Sequence, residues 1–251
     1  MKNELFLSKL CRIAKKAGDA IMLHYGQPVD VERKADKSPV TKADLAAHDV
    51  IVAELGQLTP DIPIISEEHH DHVLPDRVQQ FWLVDPLDGT KSFIRGTGEF
   101  TVNIGLIENG VPVLGVIYIP VECMMYWGAT GMGAWKQKDH EKAHAIATRA
   151  VPADGVAAVV SLSHLDPQTE QYLGPLNISS RISASSSLKF CRVAEGQADL
   201  YPRFGPTMEW DTAAGHAIAV AAGGRVECPD GSAFCYGKEG LRNGPFVVFG
   251  R

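Results

Sequence analysis

Two aspartates lie three residues apart in the segment WLVDPLDGTKSF, residues 82–93. Asp85 and Asp88 follow an apolar stretch, and a strand that ends at Val84 would place both carboxylates at its carboxyl edge. Such neighbouring charges repel each other, and a hard divalent cation removes the conflict because Mg²⁺ favours carboxylate and carbonyl oxygens. The intervening turn also leaves the Leu87 carbonyl able to face the ion. The segment therefore predicts a magnesium site.

The residues after the aspartates extend this prediction to phosphate. Gly89 and Thr90 lead into a predicted short helix, whose first N–H groups would form an anion cradle beside the metal. An alternative stays open for the hexapeptide DPLDGT, because Asp85 and Asp88 could simply accept hydrogen bonds from the amides of a well-formed turn.

Two further acidic motifs favour the metal site. SEE at residues 66–68 follows a predicted strand at 62–66, and EWD at residues 209–211 opens a predicted helix. Groups at the carboxyl ends of strands in an α/β sheet meet in one crevice. The three acidic segments together would give the four carboxylates that two or more Mg²⁺ ions require. Asp211 could also be the N-cap of its helix, and one carboxylate can serve both purposes.

The predicted secondary structure that must position these carboxylates contains both helices and strands. Apolar spacing predicts a helix over residues 4–25 and a second one opening at Thr41. An apolar β meander is predicted from residue 100 to about 136, with a hairpin at Asn109-Gly110. The second half alternates short strands with helices predicted at 186–195 and 211–222. We expect an α/β (α+β) protein of two tightly packed lobes, residues 1–145 and 146–251, in one compact unit.

Composition narrows the class of protein. The 251 residues are 45% hydrophobic and 22% charged, values typical of a globular chain that needs no disulfides. Lysine and arginine total 24 against 30 aspartates and glutamates, so general nucleic-acid binding is not expected. The five cysteines form no C-x-x-C pair, which disfavours a structural zinc site and an oxidising compartment. We expect a cytoplasmic protein with no signal peptide and no integral membrane segment.

The motifs WLVDPLDGT, SEE and EWDTAAG together resemble those of the Mg²⁺-dependent, lithium-sensitive phosphatases of the inositol monophosphatase superfamily. The resemblance covers nearly the whole chain and implies a layered αβαβα sandwich. Within the superfamily, residues 185–215 are most similar to the bacterial 3'(2'),5'-bisphosphate nucleotidases. Those enzymes commonly read DGTKEF, whereas this chain has Ser92 in place of the acid, which removes no proposed ligand.

Carried over residue by residue, the resemblance implies five oxygen ligands for two or more Mg²⁺ ions. These are the side chains of Glu67, Asp85, Asp88 and Asp211 and the backbone carbonyl of Leu87. Thr90, with Glu67 or Asp44, would orient and deprotonate a water that the metal activates. In-line attack by that water needs no covalent enzyme intermediate, and the chain has no G-x-S-x-G motif.

Asp44 and the histidine-rich stretch each have a simpler interpretation. Thr41 and Asp44 have the spacing of a capping box, so Asp44 could close the start of its helix, alone or together with a catalytic role. His69, His70 and His72 in EEHHDH are possible transition-metal ligands. Because adjacent loop residues rarely converge on one ion, Glu67 is taken as the ligand and the histidines as a solvated flap.

The choice of substrate must come from groups outside the metal cluster. Ser186 and Lys189 lie three apart at a predicted helix start, Arg203 lies in YPRFGP, and His164 follows a strand; each could contact a phosphorylated nucleotide. Each is, taken singly, more typical of an ordinary surface residue. At the metal site the resemblance implies further substrate contacts, from Glu67, Leu87, Asp88, Gly89, Thr90 and Asp211.

Three functions follow from these features. The first is a nucleotidase that removes the 3'-phosphate of adenosine 3',5'-bisphosphate, and of its sulfated form 3'-phosphoadenylyl sulfate, in sulfur assimilation. The second is an inositol or sugar phosphatase with the same metal site, and the third is a non-catalytic sensor of phosphorylated ligands. A monomer and a homodimer are both left open, as is the peripheral inner-membrane location described for relatives.

Overall fold

We describe the protein from a computed structural model, which covers residues 3–28, 31–33, 39–69, 78–161 and 166–251. The helices in this part of the chain are α1 (Glu4–Met22), α2 (Lys42–Leu58), α3 (Thr90–Arg95), α4 (Pro167–Leu173), α5 (Leu188–Ala194) and α6 (Glu209–Ala221), with a 3₁₀ turn at Glu239–Leu241. The strands are β1 (Val31–Arg33), β2 (Pro39–Thr41), β3 (Ile64–Ser66), β4 (Gln80–Asp88), β5 (Thr101–Glu108), β6 (Val111–Ile119), β7 (Met124–Ala129), β8 (Gly133–Lys138), β9 (His144–Ile146), β10 (Val156–Ser161), β11 (Ile178–Ala184), β12 (Leu200–Arg203), β13 (Thr207–Met208), β14 (Arg225–Glu227), β15 (Arg242–Asn243) and β16 (Phe246–Phe249).

The first two helices form where the sequence predicts them. The Asn3 side chain accepts a hydrogen bond from the N–H of Phe6 at 2.9 Å and so caps α1. The buried face of α1 includes Leu7, Leu10 and Ile21, which confirms the apolar stripe read from the sequence. The helix ends at Met22, three residues before the predicted end.

The larger sheet carries the predicted meander. Its strand order is β3-β4-β5-β6-β7-β8-β9, and β3 pairs with β4 in parallel whereas the following pairs are antiparallel. Asn109 and Gly110 connect β5 to β6 with positive φ angles of 53° and 76°. This backbone twist matches that of the flanking strands, so the predicted hairpin is confirmed.

The helices and sheets stack in five layers. Helices α1 and α2 cover one face of the seven-stranded sheet, and α6 covers the other. Helices α5 and α6 also pack on the five-stranded sheet β11-β10-β12-β16-β14, whose opposite face is covered by α4. This arrangement confirms the expected αβαβα sandwich.

Two glycines allow α6 to lie directly on the seven-stranded sheet. A methyl group at Gly105 would lie 2.8 Å from the Cβ atom of Ala213, and one at Gly115 would overlap the Ala214 carbonyl. Any larger residue at these two positions would force the helix away from the sheet. Because α6 carries Asp211 in its first turn, the glycines also fix the depth at which that carboxylate enters the site.

Several predicted boundaries differ from the structure. The predicted strand 81–84 continues to Asp88 as β4, with an irregular register between Asp85 and Asp88 that preserves pairing with β5. The predicted helix 186–195 is shorter, and the predicted helix 211–222 begins at Glu209, so Asp211 lies in its first turn and the N-cap is Met208. The lobe division at residue 145 stays a prediction. Among the described helices, none is both long and apolar enough to span a membrane.

Candidate active site

Three carboxylates converge at the edge of the larger sheet. Because β3 and β4 run parallel with Ser66 beside Val84, the next residues, Glu67 and Asp85, lie side by side, and the Glu67 N–H donates to the Val84 carbonyl at 3.0 Å. Asp211 reaches the same place from α6. One carboxylate oxygen from each of Glu67, Asp85 and Asp211 lies within 4.8 Å of the others. The predicted convergence of three distant motifs is confirmed.

The negative charges of this cluster repel one another, and a bound cation would stabilise them. Burial raises the pKa of Asp85 well above its ordinary value, and the charges of Glu67, Asp88 and Asp211 raise it further. The pKa of Asp211 is raised well above its ordinary value by burial and by the charges of Asp88 and Glu67. Carboxylate oxygens that repel one another in a partly buried site suit a hard divalent cation, which would remove the repulsion. The donor set therefore fits the predicted metal chemistry.

Asp88 lies beside this three-carboxylate group rather than within it. Burial raises its pKa, the positive charge of Lys189 opposes that shift, and the charge of Glu67 adds to it. The backbone between the two aspartates is fixed locally, because the Leu87 N–H donates to Asp85 Oδ1 at 3.0 Å. The Leu87 carbonyl oxygen accepts a hydrogen bond from Thr90 Oγ1 at 3.3 Å. The roles of Asp88 and Leu87 as ligands stay predictions.

Asp44 makes both of the contacts that its two interpretations require. One oxygen, Oδ2, accepts from the N–H of Thr41 at 2.8 Å and from its hydroxyl at 2.6 Å, which forms the predicted capping box. The other oxygen, Oδ1, accepts from Thr90 Oγ1 at 3.1 Å. The cap thus holds Asp44 in place beside Thr90, and a catalytic role for the pair stays a prediction.

The first turn of α6 is anchored on two sides. The Met208 N–H donates to Asp211 Oδ2 at 2.8 Å, so this carboxylate contributes to the helix start as well as to the acidic cluster. The neighbouring Glu209 side chain is fully buried and accepts from the N–H groups of Gly237 and Lys238 at 2.8 and 3.0 Å. These contacts hold the helix start in a fixed orientation toward the cluster.

A cleft of about 230 Å³ opens from the acidic cluster. Of the predicted substrate residues, six line it: Asp88, Gly89, Ser186, Lys189, Arg203 and Asp211. Lys189 is buried, and burial lowers its pKa to about 8, against the charge of Asp88. Its ammonium donates to the Ser186 carbonyl at 2.6 Å. His164, His70 and His72 lie outside the described residues, and His69 is exposed.

A buried hydroxyl and amide network connects the cluster to the opposite cleft wall, and the sequence analysis missed it. Asn103 on β5 donates from Nδ2 to Asp88 Oδ2 at 3.4 Å and accepts at Oδ1 from Ser187 at 2.7 Å. The Thr101 hydroxyl is 2.9 Å from that of Ser186 and 2.8 Å from that of Ser187. A signal was present, since Thr101 and Asn103 are polar residues in the apolar strand TVNIGLIE.

Replacing Asn103 by alanine is expected to lower kcat/KM by about 10- to 100-fold and to raise the Mg²⁺ concentration needed for half-maximal activity. The variant removes a donor to Asp88 and the acceptor that holds Ser187. Phosphate release measured across a Mg²⁺ titration tests this expectation. Asn177→Ala, which truncates an exposed amide in the second half of the chain, serves as the control. An unchanged Mg²⁺ requirement in Asn103→Ala would contradict the positioning role.

An acidic, all-oxygen cluster at one end of a cleft with cationic walls is the arrangement expected of a metal-dependent phosphatase. The inositol monophosphatase family model matches residues 2–245. The chain belongs to the inositol monophosphatase family and is a metal-dependent phosphatase.

Individual relatives agree with this assignment. The Salmonella typhimurium protein named 3'(2'),5'-bisphosphate nucleotidase CysQ is 52% identical over 246 residues, which cover 96% of this chain and 98% of that protein. Among solved structures, CysQ from Bacteroides thetaiotaomicron is similar with a TM-score of 0.84 at 42% identity, over 98% of both chains. An inositol monophosphatase from Thermotoga maritima has a TM-score of 0.78 at 25% identity, over 97% of this chain and 91% of that one. The resemblance stated from the sequence is confirmed.

Proposed function

We propose that this protein is a Mg²⁺-dependent nucleotidase that removes the 3'-phosphate of adenosine 3',5'-bisphosphate and of 3'-phosphoadenylyl sulfate. The observation that carries the proposal is the single cleft shared by two sets of groups. At its acidic end lie Asp211, a member of the cluster suited to cations, and Asp88 beside that cluster. Lys189 and Arg203 on its wall suit an anionic substrate. Relatives that are about half identical over nearly their whole length bear the same nucleotidase name.

The acidic residues would hold the cations and orient the reacting phosphate. Glu67, Asp85 and Asp211, with Asp88 and the Leu87 carbonyl beside them, supply the oxygens for two or more Mg²⁺ ions. When bound, these ions would supply Lewis acidity that activates water and neutralises the charge of the phosphoryl group. Gly89, with a φ angle of 96°, leads the chain from this point into α3, and a Cβ atom there would lie only 2.9 Å from the Glu99 carbonyl oxygen.

Thr90 and Asp44 would accept the proton that the attacking water loses. The Thr90 hydroxyl donates to Asp44 Oδ1, so its oxygen retains lone pairs with which to accept a hydrogen bond from the attacking water. A proton taken up at Thr90 Oγ1 would be matched by the transfer of the threonine's own proton to Asp44 Oδ1. The capping box holds Asp44 in place for this step without further reorganisation.

The cellular role that fits this reaction is recycling of a by-product of sulfate activation. Removal of the 3'-phosphate converts a bisphosphorylated nucleotide into an ordinary nucleoside monophosphate. A cytoplasmic location, with peripheral attachment to the inner membrane, and inhibition by lithium complete the proposal. A monomer or a homodimer would serve equally, because all the site residues named here come from one chain.

A substrate panel tests the proposal. We expect purified protein with Mg²⁺ to hydrolyse adenosine 3',5'-bisphosphate with a kcat/KM at least about tenfold above that for inositol 1-phosphate, which lacks the second phosphate that would meet an additional cation. Fructose 1,6-bisphosphate is included as a bisphosphate without a nucleoside. Asp88→Asn serves as the negative control. Faster turnover of inositol 1-phosphate would favour the inositol phosphatase alternative. No phosphate release from any compound would favour the sensor.

A further inference from the structure

Helix α2 contacts the groups around the acidic cluster through side chains that lie one turn apart. Asp44 accepts from Thr90 Oγ1 at 3.1 Å, and four residues later His48 Nδ1 forms a hydrogen bond of 2.8 Å with Ser66 Oγ. Residues four apart lie on the same face of a helix, separated by about 6 Å along its axis. The first contact belongs to the pair that would accept the proton, whereas the second has no role in the proposed mechanism.

The second contact reaches the residue directly before Glu67. Ser66 is the last residue of β3, is fully buried and pairs with Val84 of β4. Its carbonyl accepts from the His69 N–H at 3.0 Å, which closes a turn whose second residue is Glu67. The backbone at this point is thus held by β4, and the Ser66 side chain is held by α2. Together these contacts set the direction in which the Glu67 carboxylate leaves the strand.

Helix α2 is itself fixed against the larger sheet. Its buried apolar face packs on β3 and β4. Just beyond its last residue, the Thr59 hydroxyl accepts from the indole N–H of Trp82 in β4 at 3.0 Å. The capping box and the contact with Thr90 hold the opposite end. Because the helix is attached at both ends, the His48 side chain reaches the end of β3 from a fixed support.

We propose that His48 is a positioning residue, which acts through Ser66 to hold Glu67 in the orientation that metal binding requires. Helix α2 then fixes two groups at once, because Asp44 on the same face of the helix holds the Thr90 hydroxyl. The spacing between a metal ligand and the proton acceptor is thereby set by one turn of a rigid helix. This inference rests on the proposed role of Glu67 as a metal ligand.

The test compares two replacements of similar shape. His48→Asn keeps a polar amide atom at the same number of bonds beyond Cβ as Nδ1, and an amide can both donate and accept. His48→Leu has only carbon there. We expect His48→Leu to raise the Kd for Mn²⁺, measured by isothermal titration calorimetry, by about tenfold, and His48→Asn to stay within about threefold of wild type. At saturating metal the KM for the nucleotide should change by less than about twofold.

Further variants separate positioning from a loss of stability. Ser66→Ala should weaken Mn²⁺ binding as much as His48→Leu, and the double variant should lose no more than either. Ala53→Gly, at an exposed position of α2, should lower the Tm but leave Mn²⁺ affinity unchanged.

Unchanged Mn²⁺ affinity in His48→Leu, or equal losses in the asparagine and leucine variants, would overturn the inference. So would a loss of Mn²⁺ affinity in Ala53→Gly as large as that in His48→Leu. Glu67→Gln shows whether the proposed site itself is at fault. It should weaken Mn²⁺ binding more than any of these variants, and wild-type affinity in Glu67→Gln would overturn the ligand role of Glu67.

Discussion

Replacing Asp85 by asparagine is expected to abolish nearly all phosphate release and, at the same time, to raise the Tm of the metal-free protein. The loss of rate should reach about 10³-fold or more, since a bound metal ion contributes several kcal/mol of transition-state stabilisation. The gain in stability has a separate cause. Asp85 is 2% exposed, and its negative charge is opposed by burial and by Glu67, Asp88 and Asp211.

Asparagine isolates the charge from the shape of the side chain. It retains the oxygen that accepts from the Leu87 N–H, so the turn between the two aspartates is preserved. Wild-type protein should gain about 2.7 kcal/mol of stability at a Mg²⁺ concentration 100 times the Kd. The variant should gain little. Thermal unfolding of both proteins, with and without Mg²⁺, separates the two effects.

Asp199→Asn provides a matched control for a buried aspartate outside the site. Asp199 is 2% exposed. Its carboxylate accepts hydrogen bonds from Arg149 Nε at 2.7 Å and from the Ala157 N–H at 2.7 Å, so protein groups already satisfy it. This variant should lose stability without Mg²⁺ but keep both its stabilisation by Mg²⁺ and its activity. Full activity in Asp85→Asn would show that the cluster does not hold the catalytic ion.

The acidic cluster was predictable because its signals are local and its convergence follows from one rule of sheet topology. In the sequence each acidic motif follows an apolar stretch or opens a predicted helix, and parallel neighbouring strands end at the same edge. For Glu67 and Asp85 the rule requires only that β3 and β4 be parallel neighbours, and these two strands do pair in parallel. The antiparallel pairing of the remaining strands in that sheet left the prediction for Glu67 and Asp85 unaffected.

What residue spacing alone could not predict depends on contacts between segments far apart in the chain. The capping box at Asp44 was visible in the spacing, whereas the pairing of Asp44 with Thr90, 46 positions away, was implied only by the family resemblance. The bond between Asn103 and Ser187 spans 84 positions. A buried polar residue in a strand indicates that some partner exists, since an unpaired one is costly, but not which partner. The need for glycine at positions 105 and 115 is likewise visible only in the structure, where α6 packs directly on both residues.

A second polar network involves α6, the helix that carries Asp211, and it connects stability to pH. His216 on α6 is 6% exposed and packs against the rings of Phe234 and Tyr236. Its Nδ1 atom is 3.2 Å from the Tyr236 hydroxyl, which itself donates to Thr212 Oγ1 at 3.1 Å. Burial lowers the pKa of His216 to about 3, so the folded protein holds this imidazole neutral.

Acidification is therefore expected to destabilise the protein through His216. In the unfolded chain the histidine takes up a proton near its ordinary pKa of about 6.5, whereas the folded protein resists protonation until about pH 3. The unfolded state binds more protons than the folded state between these pH values. The contribution of neutral His216 to the free energy of unfolding is therefore fully present above pH 6.5 and decreases as the pH falls. The expected loss is about 2 kcal/mol between pH 7 and pH 5, at about 1.4 kcal/mol per pH unit.

Urea unfolding of His216→Gln at the two pH values measures this contribution. Glutamine can still donate to the Tyr236 hydroxyl but does not titrate, so the variant should be less stable than wild type at pH 7 and lose about 2 kcal/mol less on transfer to pH 5. His144→Gln, which changes an exposed histidine on β9, should follow the wild-type pH dependence. Because carboxylates elsewhere titrate in all three proteins, only the difference between variants is diagnostic. Parallel curves for wild type and His216→Gln would mean that the buried imidazole gains its proton as readily in the folded protein as in the unfolded chain.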